Sequence, residues 1–212
     1  MKLQVAIDLL STDAALELAG KVARYVDIIE LGTSLIKSEG LAVITAVKAA
    51  HPDKIVFADM KTMDAGGLEA SLAFKAGADL VTVLGAADDS TIVGAVKEAR
   101  AHNKGVVVDL LGVADKVPRA KDVWALGAAF VEMTGGLDEQ GNPGFDLDAL
   151  VRAGVESGVP FSVAGGVKPS TIDAVQQAGA DVAVVGAAIH AAADPTQVAK
   201  DLRAAIMWRP AA

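Results

Sequence analysis

One short phrase, repeated along the chain, constrains the fold more than any other feature. Ala76-Gly77-Ala78-Asp79 and Ala178-Gly179-Ala180-Asp181 match residue for residue, and Leu126-Gly127-Ala128-Ala129 is a weaker copy. In each, a glycine in left-handed geometry closes a helical pattern and an apolar strand pattern starts at once. The glycines at 77, 127 and 179 stand 50 and 52 residues apart, and each interval holds two strand–helix units. Continued over 212 residues, this spacing predicts eight units and an α/β fold, a compact (β/α)8 TIM barrel, shorter than the roughly 250 residues usual for it. A doubly wound open sheet is the competing architecture, but no GxGxxG follows the first strand.

Apolar runs place the strands at 3–7, 27–31, 54–60, 80–84, 106–110, 129–133, 161–164 and 182–185. Thr12 or Asp13 caps a first helix, and a second runs from about Gly40 to Ala50, stopped by Pro52. Further helices are expected at 68–76, from Asp88, at 116–126, from Asp146, up to Gly179 and from Asp194-Pro195. Residues 134–144 read as a long loop rich in breakers. Residues 1–207 are expected to form a single barrel domain, with 208–212 as a C-terminal tail.

Composition narrows the partners. Hydrophobic residues make up 52% and aromatics 4%, so the core must be built from Ala, Val, Leu and Ile. A formal charge of −8 argues against nucleic acid or an anionic membrane surface, both of which need a basic footprint. Cysteine is absent, which excludes disulfides and thiolate metal sites and fits a reducing compartment. The N-terminus does not read as a signal peptide, and no apolar run approaches the roughly 18 residues of a membrane span. A cytoplasmic protein is expected.

The chemistry concentrates at strand ends. Asp59 and Lys61 lie two apart at the end of the third strand, so they face the same side, and Asp64 follows in the turn. An ion pair at a loop mouth is the plainer reading of this segment alone. Yet Asp8, Glu30, Asp109 and Thr134 fall at the corresponding ends of other strands, and the catalytic groups of such barrels gather there. Glu30 and Asp59 suit Mg²⁺, a hard cation that takes carboxylate and substrate oxygens. Gly165, Gly166, Gly186 and Ala187, after strands seven and eight, occupy places where these barrels bind phosphate through backbone amides. Asp109 is a further candidate for substrate contact. His51, His102 and His190 lack metal-ligand spacing and read as surface or cap residues.

These residues carry a family likeness. Asp59-x-Lys61-x-x-Asp64 on a third strand, with Asp8 on the first, resembles the orotidine 5′-phosphate decarboxylase suprafamily. Glu30 within Ile29-Glu30-Leu31-Gly32 is similar to its Mg²⁺-dependent branch. Leu3 to Asp8, Phe57 to Ala65 and Phe161 to Val167 resemble the 3-hexulose-6-phosphate synthase family. The resemblance implies aldol condensation of formaldehyde with ribulose 5-phosphate, the formaldehyde-fixing step of the ribulose monophosphate pathway, in a homodimer. It implies Mg²⁺ on Glu30 and Asp59, a 1,2-enediolate stabilised by Lys61, and Asp8 holding Lys61 charged. It also implies that Asp64 reaches the partner's site and that the glycine-rich ends bind phosphate. Thr134 stands where the family usually has a proton-handling histidine, which implies reassigned proton transfer or a weakened, sugar-phosphate-binding variant. Leu137 and Ala187 stand where the related 3-keto-L-gulonate 6-phosphate decarboxylases have arginines, which favours the synthase over that alternative.

Overall fold

Strands of Val, Ile and Leu on both faces are stable only in a sheet covered on both sides. In the computed structural model, which describes residues 1–207, eight parallel strands meet that need by closing on themselves. They are β1 (Lys2–Ile7), β2 (Ile28–Leu31), β3 (Ile55–Thr62), β4 (Leu80–Leu84), β5 (Gly105–Asp109), β6 (Phe130–Thr134), β7 (Phe161–Ala164) and β8 (Val182–Val185). Each pairs with its neighbour in sequence, and β1 closes on β8 with Gln4 opposite Val184. This is the (β/α)8 barrel expected from the repeat. The tail expected at 208–212 lies outside the described residues.

Helices cover the outside: α1 (Thr12–Val22), α2 (Thr33–Glu39), α3 (Ala42–Ala50), α4 (Gly66–Ala76), α5 (Asp89–His102) and α6 (Lys116–Leu126). The second half adds α7 (Leu137–Gln140), α8 (Leu147–Ser157), α9 (Ile172–Gln177), α10 (Ala187–His190) and α11 (Pro195–Met207). Gly77 and Gly127 close α4 and α6 at φ 112° and 108°, the left-handed geometry read from the repeat. No helix among the described residues is long and apolar enough to cross a membrane.

The pleat divides the apolar residues into two cores. One face of each strand, with Leu3, Val5 and Ile7 on β1, packs under the helices. The other face fills the barrel with a smaller cluster including Ala6, Ile28, Phe57, Val107 and Val184. Small residues let the helices close over this sheet. A Cβ on Gly66 would sit 2.0 Å from the Thr91 carbonyl oxygen, so α4 approaches α5 at a distance only glycine permits.

Three local expectations differ from the structure. The helix expected over 40–50 is preceded by α2, because Gly32 starts a helical turn directly after β2. Gly40, at φ 67°, then breaks the run before α3. The cap of α1 is Ser11, whose hydroxyl accepts from Ala14 N; Thr12 instead donates to Glu39 on α2. The loop over 134–144 contains α7, whose exposed Gly136 amide is held by the Glu139 carboxylate at 3.0 Å.

Candidate active site

The inner face of the barrel turns polar toward the C-terminal ends of the strands. Gln4, Glu30, Asp59, Thr82, Asp109, Glu132 and Ser162 are all buried. Above them opens a cavity of about 560 Å³. Asp8, Glu30, Asp59, Lys61 and Thr134 line it on one side, and Gly165, Gly166, Gly186 and Ala187 on the other. Nine of the residues expected from sequence thus line one cavity. Asp109 lies fully buried below it, bonded to Lys61. Asp64 is set apart: it is exposed, and its carboxylate accepts from the Ala65 amide at 2.7 Å.

Lys61 occupies an unusual backbone position. Ala58 pairs with Val81 and Thr62 with Val83, so β3 carries two more residues than β4 over that interval. The surplus is absorbed in a bulge in which Lys61 takes φ 45°, and Ala65 follows at φ 54°. Left-handed geometry costs a residue with a Cβ roughly 1–2 kcal/mol, and such strain collects where function holds it in place. The bulge lets both Asp59 and Lys61 turn inward. The Lys61 ammonium lies 3.0 Å from Asp59 Oδ2 and 2.9 Å from Asp109 Oδ2.

That geometry corrects one expectation. Among the described residues, the hydrogen bonds of the Lys61 ammonium go to Asp59 and Asp109 and none goes to Asp8. Asp8 feels the Lys61 charge, but burial and the neighbouring Asp59 carboxylate raise its pKa above the ordinary value. Burial pulls the Lys61 pKa down, and Asp59 and Asp109 more than offset it, so the ammonium stays charged. His190, closing the four-residue α10, also lies near enough to Asp8 to favour its ionised form.

Two carboxyls are less comfortable. Burial first, then the charges of Asp59 and Glu132, push the Glu30 pKa well above its usual value; among the described residues only Gln4 Nε2 answers it, at 2.7 Å. Burial, then Asp109 and Asp59, push the Glu132 carboxyl up to about 8. Its partners are the hydroxyls of Ser162 at 3.0 Å and Thr134 at 3.4 Å. Glu132, Gln4 and Thr82 did not stand out in the sequence. Their signal was there: each is a lone polar residue alternating with apolar ones inside a strand, as in Val81-Thr82-Val83.

The glycine side of the cavity is built by backbone geometry. Gly165 and Gly166 take φ 101° and 75°, and a Cβ on Gly165 would lie 2.6 Å from the Gly135 carbonyl oxygen. Gly186 is freer, with nothing nearer than 3.7 Å to a Cβ placed there. Lys168, exposed and just beyond Gly166, also borders the cavity. Leu137 and Ala187 line the same rim and leave it without arginine at those positions.

Fold and site together define a (β/α)8-barrel enzyme whose charged groups meet at the C-terminal ends of its strands. The model of the Orotidine 5′-phosphate decarboxylase / HUMPS family matches residues 1–202. The 3-hexulose-6-phosphate synthase of Mycobacterium gastri is 77% identical over 206 residues, covering 97% of this chain and 100% of that protein. That of Methylomonas aminofaciens is 45% identical over 201 residues, covering 94% and 96% of the two chains. A crystal structure of 3-hexulose-6-phosphate synthase superposes with a TM-score of 0.96 at 77% identity, over 97% of this chain and 100% of that one. The chain belongs to the orotidine 5′-phosphate decarboxylase / HUMPS family and is an enzyme of the lyase type.

Proposed function

We propose that the protein is a cytoplasmic, Mg²⁺-dependent aldolase that joins formaldehyde to ribulose 5-phosphate, giving 3-hexulose 6-phosphate reversibly in formaldehyde fixation. The observation that carries this reading is the division of one cavity between a carboxylate-held ammonium and a glycine-walled pocket, in a chain 77% identical to a synthase of that name. The glycine turns at 165–166 and 186–187 suit a phosphate, since exposed amides can approach an anion closely. The sugar then extends across the cavity toward Lys61.

The donor set fits a magnesium ion. Glu30 and Asp59 lie close enough for each charge to oppose the other in a buried wall, a repulsion that a divalent cation relieves. Mg²⁺ needs only one or two protein carboxylates, since it keeps several waters and takes the rest of its shell from substrate. When bound, Mg²⁺ supplies Lewis-acid polarisation of the sugar oxygens. The chain's own contribution is preorganised charge: Lys61, fixed by Asp59 and Asp109, faces the negative charge that develops when the sugar loses its C1 proton. Asp8, beside Asp59, completes the charged wall. Thr134, a poor base, lines the cavity where the family resemblance would put a proton-handling group.

A homodimer completes the reading. Met63, Leu68 and Leu72 are exposed apolar residues on the rim and α4, beside Asp64, which is exposed and does not line its own cavity. A second copy covering this face would receive Asp64 in its site.

The test is a formaldehyde-dependent assay of ribulose 5-phosphate consumption with and without Mg²⁺, beside 3-keto-L-gulonate 6-phosphate under the same conditions. The reading requires condensation to dominate and to vanish on chelation. Efficient decarboxylation without condensation would replace it by the decarboxylase, and tight sugar-phosphate binding without turnover by a binding protein.

A further inference from the structure

Thr82 lies fully buried in the middle of β4, between Val81 and Val83, where valine would fill the same volume without a hydroxyl to satisfy. A buried hydroxyl is costly unless both its donor and acceptor functions are used. Here both are used, and both on the reactive segment. Thr82 Oγ1 accepts from the Lys61 backbone amide at 2.8 Å and donates to Asp59 Oδ1 at 2.8 Å.

The bulge explains why this hydroxyl is needed. With Ala58 opposite Val81 and Thr62 opposite Val83, the intervening residues of β3 leave the regular pairing with β4. The Lys61 amide finds a side-chain acceptor in place of a strand carbonyl. One atom therefore ties the left-handed backbone of Lys61 to the carboxylate of Asp59, fixing where ammonium and carboxylate stand relative to each other. Thr33 Oγ1 holds the other carboxylate oxygen at 2.8 Å but makes no bond to the Lys61 backbone.

We infer that Thr82 is a positioning residue: its hydroxyl locks the β3 bulge so that Asp59 and Lys61 meet the substrate in one fixed arrangement. The inference rests on the proposed role of Lys61 at the reacting sugar.

The experiment compares Thr82→Val and Thr82→Ala with Thr82→Ser in the full chain. It reads kcat and KM for ribulose 5-phosphate, thermal unfolding, and hydrogen exchange at the Lys61 amide. Loss of the hydroxyl is expected to lower kcat about 10- to 100-fold while KM changes less than about threefold, the scale of a small misplacement of reacting groups. Exchange at the Lys61 amide should accelerate at least about tenfold in the valine and alanine variants. Thr82→Ser should restore both kcat and protection. A folded valine or alanine variant with wild-type kcat and protection would overturn the inference, as would a serine variant as impaired as the valine. A stability loss that leaves kcat untouched would reduce Thr82 to a structural residue. Lys61→Ala, assayed in parallel, separates the two levels. If it remains active, the reading of the site fails; if it is inactive while Thr82→Val is fully active, only the role of Thr82 fails.

Discussion

Asp109 and Glu132 are register partners on β5 and β6, yet one meets a cation and the other only hydroxyls. Asp109 accepts a 2.9 Å hydrogen bond from the Lys61 ammonium, whereas Glu132 is answered by the hydroxyls of Ser162 and Thr134. The barrel thus pairs one carboxylate with an ammonium and surrounds its neighbour with hydroxyls.

That contrast sets a pH dependence. Burial and the nearby carboxylates raise Glu132 from 4.5 to about 8, so the folded state binds its proton more tightly than the unfolded chain does. Stability from this group is full below about pH 4.5 and is lost as pH rises through about 8. Glu30 shifts in the same direction and contributes with the same sign. Thermal unfolding in metal-free buffer should show Glu132→Gln declining less steeply than the wild type across that window.

Lys61→Ala removes the cation proposed to face the developing charge and is expected to lower kcat by about 10²- to 10³-fold. It also leaves Asp59 and Asp109 facing each other without compensation, so the unfolding temperature should fall as well. Steady-state kinetics and calorimetry on one preparation check both.

Thr134→His introduces an acid–base group into the cavity wall. General acid–base catalysis contributes about 10²- to 10⁴-fold, so a gain in kcat of about 10² is expected. Exchange of deuterium into C1 of ribulose 5-phosphate, measured without formaldehyde, should rise in parallel.

Gly165→Ala forces a Cβ to 2.6 Å from the Gly135 carbonyl at φ 101°. The strain should cost about 1–3 kcal/mol in denaturant unfolding. A raised KM for ribulose 5-phosphate should accompany it, since the backbone of the proposed phosphate site must shift.

Leu68 is 65% exposed on α4, one turn past Asp64. Leu68→Lys is expected to give a monomer in analytical ultracentrifugation, with activity lost although the cavity of each chain is intact. Asp64→Ala should lose activity and remain dimeric.

Much of the architecture was legible because it rests on local rules. The glycine-closed helices and apolar strand runs fixed eight units and their order, and strand-end carboxylates pointed to Asp8, Glu30, Asp59 and Asp109. α2 escaped notice because Gly32 serves as its first cap without a side-chain signal. Glu132, Gln4 and Thr82 escaped because a polar residue inside a strand acquires meaning only when closure turns its face inward.

The sequence by itself determined the barrel, its periodicity and the strand ends where charge collects, since these follow from the backbone propensities and pleat of adjacent residues. Tertiary structure alone decided who pairs with whom. Lys61 meets Asp59 and Asp109, with none of its hydrogen bonds to Asp8, because a two-residue bulge in β3 turns its side chain across the barrel. Side chains from β3, β4, β5 and β6 come within hydrogen-bonding distance only once the sheet has closed, and no spacing along the chain encodes that distance.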